Sequence, residues 1–476
     1  MSSFKPSVPS KPETFTLVLP GANKDAHELS EKLLTKNNKE FDIFFNKRKF
    51  HNHFVHHLLA AYSFGANKEK LQEIFEIHAK EQRPPPASVG TITRENYKNY
   101  LGKAESYSSF LVFFKSEVDQ FGMLDSVRRW VWHGDFLARV MGGIFHPIIH
   151  IGYGLEFELP GVVSEGLSMV ACTSSDYKSI IPVLPDLQRN PLLPAQAQVY
   201  AENASSTARG FVTQLVDQLS SQISSSLGLH DNQPTAKNDP LPVADIPSFL
   251  RSSFLFELFI KIKQDPVFKG IPTFDDAKRF DTLLSNQAVT ERIKHYVQLW
   301  PLKESTQDLQ AKFADLHFFT ALALGSTGIR DDHPNTVKLD FFMMHGLTSS
   351  EFIHQYISRI SPSESILLLR AQLSSIILVY LFNGRPTLNI EGLLAHKTSF
   401  DKEKTNNHWM LACDKSLDCK EAHVIKAVRS CAVGQTINGP HQDIRLNEVW
   451  LKVANMCIDK NGDWEFAGVG FDEAWK

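Results

Sequence analysis

Apolar residues recur at three- and four-residue spacings over long stretches of this chain, which is the period of helices that bury one face. Residues 26–80 show it first, and a second block runs from about residue 97 to Gly154, before Pro160-Gly161. Helical patterns resume over residues 254–262, 281–299, 309–324, 341–360, 365–382 and 422–433. Strand-like alternation is scarce, so we predict a mainly α fold without a βαβ rhythm.

Breaks in the helical pattern suggest the domain organisation. Residues 1–25 are rich in Pro, Ser and Lys and are predicted to be an irregular N-terminal segment. Residues 26–476 are then a single large α-helical domain. Within it, the stretch 200–245 is rich in Ser, Asn, Asp and Pro and predicts a loop-rich excursion. That stretch is either a linker or an insertion, and both interpretations stay open.

Composition and charge narrow the class of protein. The 476 residues are 42% hydrophobic and 22% charged, and the net charge of −3 gives no nucleic-acid footprint. The first residues lack an apolar signal segment, and the longest apolar run, 366–382, is interrupted by Arg370, Gln372 and Ser374. We therefore expect a buried helix there, with no membrane partner. Five cysteines in a chain this long do not suggest a disulfide framework, and a cytoplasmic location is predicted.

Two pairs of histidines carry the candidate chemistry. His53 and His57 are spaced i,i+4, as are His146 and His150, so on a helix each pair projects from one face. Their flanks are apolar, which predicts rings in the interior of the protein. A buried imidazole needs a partner, either a hydrogen-bonding group or a metal ion. The pattern alone leaves both alternatives open.

Other polar residues in apolar surroundings extend this set. His345 lies within residues 340–349, His423 within 422–427, and Gln372 within an apolar helix. His408, Cys413, Cys419 and His423 lie close in sequence, but their spacing does not match the usual zinc patterns. A Rossmann glycine motif, a Walker loop and a nucleophile elbow are all missing from the sequence. The 34 Phe residues are enough to line a cavity for a flat aromatic molecule, although core filling is the alternative.

Several segments, in the same order along the chain, resemble the fungal questin oxidase-like family. They are residues 52–66 (NHFVHHLLAAYSFGA), 145–157 (FHPIIHIGYGLEF), 340–350 (DFFMMHGLTSS), 450–456 (WLKVANM) and 470–475 (GFDEAW). The resemblance implies an α-helical oxygenase that oxidatively opens the quinone ring of anthraquinones, in Baeyer–Villiger fashion or by C–C cleavage. It further implies a non-haem iron centre bound by four histidines and, in at least one member, a carboxylated lysine.

Carried over residue by residue, the family motifs assign the iron ligands to His53, His146, His345 and His423. His57 and His150 compete for the same positions, and together with Tyr153 they are the predicted catalytic residues. Tyr62 and His56 are further candidates for proton transfer. Alignment by eye puts Gln372 where family members carry a lysine, and glutamine cannot form a carbamate.

The predicted function is therefore oxidative ring opening of an anthraquinone or related aromatic polyketide, with O₂ as cosubstrate and Fe(II) as cofactor. Two alternatives stay open at this point. One is a metal-independent tailoring enzyme that works by acid–base catalysis or by NADPH-dependent oxidation. The other is a non-catalytic polyketide-binding protein.

Overall fold

The computed structural model describes Phe4 and residues 15–184, 253–439, 441 and 443–476. Its residues 15–184 and 253–476, as far as they are described, belong to one compact unit. The predicted excursion at 200–245 lies outside the described residues, as does most of the predicted N-terminal segment.

The described part of the chain is built almost entirely from helices, which confirms the predicted fold class. The α-helices are α1 (Lys24–Glu40), α2 (Phe54–Ser63), α3 (Lys68–Ala79), α4 (Tyr107–Phe121), α5 (Met123–Val131), α6 (Phe136–Met141), α7 (His146–Glu156), α8 (Pro160–Cys172), α9 (Phe254–Gln264), α10 (Arg279–Ser285), α11 (Gln287–Gln298), α12 (Thr306–Thr327), α13 (Phe341–Ser350), α14 (His354–Ile357), α15 (Pro362–Phe382), α16 (Ile390–Ala395), α17 (His408–Leu417), α18 (Ala422–Asn438) and α19 (Val449–Lys460). Short 3₁₀ helices occupy Tyr97–Tyr100, Ala104–Ser106, Asp176–Ser179, Pro266–Phe268, Glu351–Ile353, Ser399–Lys402, Ile444–Leu446 and Asp472–Trp475.

Capping residues explain where several helices begin. Ser361 and Glu364 form a capping box in front of α15, with Pro362 as its first residue. The pattern at 281–299 predicted one helix, and the structure has two, because Asn286 ends α10 and caps α11 by accepting the Val289 N–H at 3.2 Å. The pattern at 341–360 is likewise interrupted, since α13 ends at Ser350 and a 3₁₀ turn precedes α14.

Helix α15 is the one described helix that is long and apolar enough to cross a membrane by length and composition. In its most apolar window, 78% of the residues are buried inside the protein. A core helix of a globular protein passes the same test, and this burial fits the buried helix predicted for the run 366–382.

The described strands form one two-stranded parallel sheet of two residues each. β1 (Leu339–Asp340) pairs with β2 (Trp464–Glu465), with Leu339 opposite Trp464 and Asp340 opposite Glu465. This pairing places the segment that follows β2 beside the first residues of α13. A parallel pair needs a long connection, and here it joins two parts of the chain that are more than a hundred residues apart.

Four helices surround the region where the predicted histidines meet. α2, α7, α13 and α18 pack against one another in the interior. Gly152 allows a particularly close approach, because a Cβ atom at this position would lie 2.2 Å from the Phe352 ring. α7 can therefore pack tightly against the turn that follows α13. This packing fixes the relative position of α7 and α13, which carry His146 and His345.

Candidate metal centre

His53, His146, His345 and His423 converge in the interior. One ring nitrogen from each lies within 4.8 Å of those of the other three. The Nε2 atoms of His53 and His146 are 2.8 Å apart. The ring centroid of His345 lies 4.7 Å from that of His146 and 4.9 Å from that of His423. The structure thus brings together residues that are separated by up to 370 positions in the sequence.

Local backbone structure sets the direction of each ring. His53 is the residue that precedes α2, and His146 is the first residue of α7. Phe145, just before α7, has a left-handed backbone with φ of 63°, a sharp turn that delivers His146 to the site. His345 sits in the middle of α13, whose N-terminus is capped by Asp340 through the N–H groups of Phe342 and Met343. His423 lies in the first turn of α18.

Hydrogen bonds fix three of the rings through the nitrogen that faces away from the site. His146 Nδ1 lies 2.7 Å from the Gly143 carbonyl oxygen, and His345 Nδ1 lies 2.8 Å from the Phe341 carbonyl oxygen. His423 Nδ1 is bonded to the Glu421 carboxylate. A carbonyl can only accept, so Nδ1 of His146 and of His345 carries the proton and Nε2 keeps its lone pair. This is the outer arrangement that orients metal-binding imidazoles.

Nε2 of His345 and Nε2 of His423 are both buried and have no hydrogen-bond partner among the described residues. Buried polar atoms of this kind are rare and call for an explanation. Imidazole ligands bind a metal at about 2.1 Å, so two of them on one ion lie at most about 4.2 Å apart. The observed spread of 4.8 Å is close to that limit. The donor set therefore fits one metal ion after small side-chain movements.

The electrostatics keep these rings neutral. Burial lowers the pKa of His53, His146, His345 and His423, and the charge of Lys426 lowers each pKa further. Only a neutral imidazole offers a lone pair to a metal. The group is thus poised to bind a cation without first releasing protons at neutral pH.

His57 and His150, the predicted competitors, are engaged in other contacts. His57 Nδ1 lies 3.0 Å from His78 Nε2. His150 lies between His56 and Glu165: its Nδ1 is 3.1 Å from His56 Nε2, and its Nε2 is 3.0 Å from the Glu165 carboxylate. Neither ring belongs to the group of four converging histidines.

The two tyrosines named from the sequence are both buried but make different contacts. Tyr153 is buried and stacks on His56 with ring centroids 5.4 Å apart, and the Arg429 guanidinium lies 5.4 Å from the Tyr153 ring centroid. Burial raises the pKa of Tyr153 well above its usual value, so its hydroxyl keeps its proton. The Tyr62 hydroxyl lies 3.0 Å from His27 Nδ1 and is in contact with α1.

Gln372 is completely buried in α15. Its Nε2 donates to Ser349 Oγ at 2.7 Å and to Ser350 Oγ at 3.1 Å, one turn beyond His345 on α13. Its Oε1 has no partner in the described part of the chain. The hydrogen bonds of Gln372 are thus with serines of α13 and not with the four histidines.

Two residues that the sequence reading overlooked lie beside His423. Glu421 caps α18, accepts a hydrogen bond from Trp464 Nε1 at 2.8 Å and holds the His423 ring. Burial favours the neutral acid, but the contacts with His423 and Trp464 outweigh it and lower the pKa of Glu421 to about 2. The signal in the sequence was a carboxylate two residues before a predicted ligand.

Lys426 is the second overlooked residue. It lies one helical turn after His423, is 1% exposed, and its Nζ has no hydrogen-bond partner among the described residues. Burial lowers the pKa of Lys426 to about 7. With this pKa about half of the amine is neutral at pH 7, and a buried neutral amine is a potential nucleophile or ligand.

Farther along α18, Arg429 anchors the helix to its neighbours. Its guanidinium is fully buried and is paired with Glu156 of α7 and with Glu351, which follows α13. Removing the guanidinium would leave two buried carboxyl groups without their cation, and breaking a buried ion pair in this way costs about 3–5 kcal/mol. The network therefore ties together three of the four helices that carry the histidines.

The cysteine-containing set near the C-terminus is not assembled. Cys413 and Cys419 are buried free thiols, and burial raises the pKa of each to about 12 and about 11, respectively. His423 points instead into the group formed with His53, His146 and His345. Cys413 and Cys419 are thus outside the group of converging side chains found among the described residues.

Comparison with known proteins gives consistent similarities. The questin oxidase-like family model matches residues 50–431. The Baeyer-Villiger monooxygenase AacuH of Aspergillus aculeatus is 22% identical, with 96% of this chain and 91% of the relative covered. The questin oxidase of Aspergillus terreus is 24% identical over 94% of this chain and 92% of the relative. A shorter match, 33% identical over 32% of this chain and 36% of the relative, is to the questin oxidase of Aspergillus fumigatus.

Proposed function

This chain belongs to the questin oxidase-like family, and from that membership and the geometry of its histidines we propose that it is a non-haem iron-dependent oxygenase. Its proposed substrate is an anthraquinone or a related planar aromatic polyketide. The proposed reaction is oxidative ring opening, either Baeyer–Villiger-like or by C–C cleavage. The relatives named as oxidases and monooxygenases support the reaction class.

One observation carries the metal part of the proposal: four neutral imidazoles converge, and two of them hold buried Nε2 atoms without a partner. His53, His146, His345 and His423 are the proposed ligands. Iron bound by histidines with open positions supplies the capacity to activate O₂. Glu421 and the carbonyl groups of Gly143 and Phe341 hold the rings in orientation, so the site is largely preorganised.

The residues around the ligands are suited to proton handling. His56, His150 and Glu165 form a buried chain that starts beside His53, where the ring centroids of His53 and His56 are 6.1 Å apart. Glu165 in turn accepts from Asn38 Nδ2 at 2.7 Å, toward the outside of the protein. We assign proton transfer to this chain through His150, with Tyr153 packed against His56 as a protonated hydroxyl. His57, paired with His78, is a weaker catalytic candidate.

Gln372 stands where family members carry the lysine, and Lys426 is our candidate to take over the role of that carboxylated lysine. The neutral amine would react with CO₂ to form a carbamate and release one proton, and its low pKa favours this. Gln372 is then free to serve as a polar support for α13, although weak binding through its Oε1 is the alternative. We expect a carbamate signal after exchange with ¹³C-bicarbonate in wild-type protein and none in Lys426→Met. An unchanged signal in Lys426→Met would contradict this assignment.

Metal analysis of freshly purified protein is the decisive experiment. We expect about one equivalent of iron per chain, and parallel loss of iron and of O₂-dependent turnover in His146→Ala. Chelation followed by anaerobic reconstitution with Fe(II) should restore both. Full activity in metal-free protein would reject the proposal and favour the acid–base or NADPH-dependent alternative, whereas binding without turnover under any reductant would favour a non-catalytic binding protein.

A further inference from the structure

A row of phenylalanines connects the protein surface with the four histidines. Phe466 is 55% exposed, and its ring centroid lies 4.5 Å from that of Phe341. Phe341 in turn lies 4.6 Å from His345 and 4.9 Å from His423, measured between ring centroids. Two aromatic side chains thus span the distance from solvent to the candidate metal centre.

The aromatic surface continues sideways from Phe466. Phe342 lies 4.4 Å from Phe382, and Phe382 stacks on Phe280 at 4.3 Å with the rings inclined by 20°. All of these rings are partly exposed. We refer to Phe280, Phe341, Phe342, Phe382 and Phe466 as the aromatic patch.

The position of this patch follows from the short sheet. Asp340 of β1 is opposite Glu465 of β2, so the next residue of each segment, Phe341 and Phe466, is brought to the same place. The same strand carries Trp464, which donates to the Glu421 carboxylate that holds His423. One small structural element therefore fixes both a ligand-orienting carboxylate and the exposed end of the aromatic row.

Such a cluster costs free energy when left in water, and exposed aromatic groups on a globular protein commonly mark a binding surface. A positive charge lies beside the patch: the guanidinium carbon of Arg279 is 5.4 Å from the Phe382 ring centroid. Flat aromatic faces beside a positive charge suit a planar fused-ring ligand that carries acidic phenol groups.

We infer that the aromatic patch is the docking surface for the planar aromatic substrate and that Phe341 and Phe466 set its position relative to the four histidines. This inference rests on the proposed function for the identity of the occupant. The proposed occupant is a small fused-ring phenolic quinone rather than a protein partner, because the row of rings runs directly to His345 and His423.

Binding to metal-free protein tests the patch separately from the iron chemistry. A 1,8-dihydroxyanthraquinone probe would be titrated into wild-type protein, Phe466→Ala and Phe466→Leu, with binding followed by quenching of tryptophan fluorescence. Phe50→Ala is the matched control, since Phe50 is 52% exposed but packs against Phe45, outside the patch. We expect Kd to rise about tenfold in Phe466→Ala, with a smaller rise in Phe466→Leu and none in Phe50→Ala.

In iron-loaded protein the same Phe466→Ala change should raise KM while the iron content stays at the wild-type value. Equal Kd values for Phe466→Ala, Phe50→Ala and wild type would overturn the inference. Sedimentation that shows a wild-type dimer lost in Phe466→Ala, with probe binding unaffected, would also overturn it and assign the patch to contact between copies. Failure of the iron proposal would leave the probe titration unchanged, so the two outcomes are distinguishable.

Discussion

Two groups of buried histidines lie side by side in this protein, and they differ in what their second ring nitrogen meets. In the converging group, His345 and His423 have Nδ1 held from outside and Nε2 left without a partner. In the neighbouring His56–His150–Glu165 hydrogen-bond network, both nitrogens of His150 are engaged, by His56 and by Glu165. His150, His345 and His423 are alike in residue type and are all buried, so hydrogen bonding is what distinguishes the two candidate ligands from His150.

Only one member of each i,i+4 pair joins the converging group. His53 and His146 join the converging group, while His57 and His150 contact His78 and Glu165. His53 immediately precedes α2 and His146 is the first residue of α7, whereas His57 and His150 lie one turn farther along these helices. Residues spaced i,i+4 share a helix face but lie about one turn apart, so the spacing does not require both rings to reach the same site.

The largest expected effect separates, by metal content, a histidine of the converging group from a buried histidine outside it. His345→Ala removes a nitrogen that has no other partner, so iron should fall below about a tenth of the wild-type value. His57→Ala removes a ring that is bonded to His78 and should retain about one iron per chain. Metal analysis after desalting measures both. Equal iron loss in the two variants would erase the distinction between histidines inside and outside the converging group.

The extent to which the sequence predicted this site depends on the range of the interactions. The helical pattern, the i,i+4 pairs and the apolar surroundings of His345 are local features and were readable directly. The convergence of His53 with His423 is a long-range property, and only the family resemblance selected these residues. Loop 200–245, the predicted linker or insertion, stays a prediction.

Glu421 and Lys426 were overlooked for a different reason. Glu421 matters only because α18 begins at Ala422 and because Trp464, from a two-residue strand, reaches its carboxylate. A strand of that length leaves no alternation in the sequence. Lys426 became notable only when its Nζ proved to be buried without a partner. Burial of a charged residue on a fully packed helix cannot be deduced from spacing.

A smaller effect should distinguish the carboxylates that support each group. Glu421→Gln keeps the size of the side chain but weakens the acceptor for His423 Nδ1, so the Kd for the metal should rise about 10–100-fold. The matched control is Glu165→Gln in the His56–His150–Glu165 network, which should change that Kd by less than about threefold. Competition with a fluorescent chelator measures both values. A larger effect in Glu165→Gln would mean that the His56–His150–Glu165 network, and not Glu421, sets the metal affinity of the four histidines.

The smallest expected effect concerns the dependence of folding stability on pH in metal-free protein. Burial and the adjacent His78 lower the pKa of His57 to about 3, from 6.5. The native ring is then neutral while the unfolded chain takes up a proton below pH 6.5, so the stabilisation is present above that pH and is lost as pH falls toward 3. His57 alone should contribute a loss of about 2 kcal/mol between pH 6.5 and 5.

Urea unfolding at pH 7, 6 and 5 would reveal this contribution, because His57→Gln keeps a hydrogen-bonding group beside His78 but does not titrate. The variant should lose about 2 kcal/mol less stability over this range than the wild type does. His408→Gln, on the exposed face of α17, is the control and should follow the wild type. Parallel curves for all three proteins would show that His57 gains a proton in the native state as readily as in the unfolded chain. Its contact with His78 would then not be one between neutral rings, and the His57–His78 pair would carry charge that the converging group excludes.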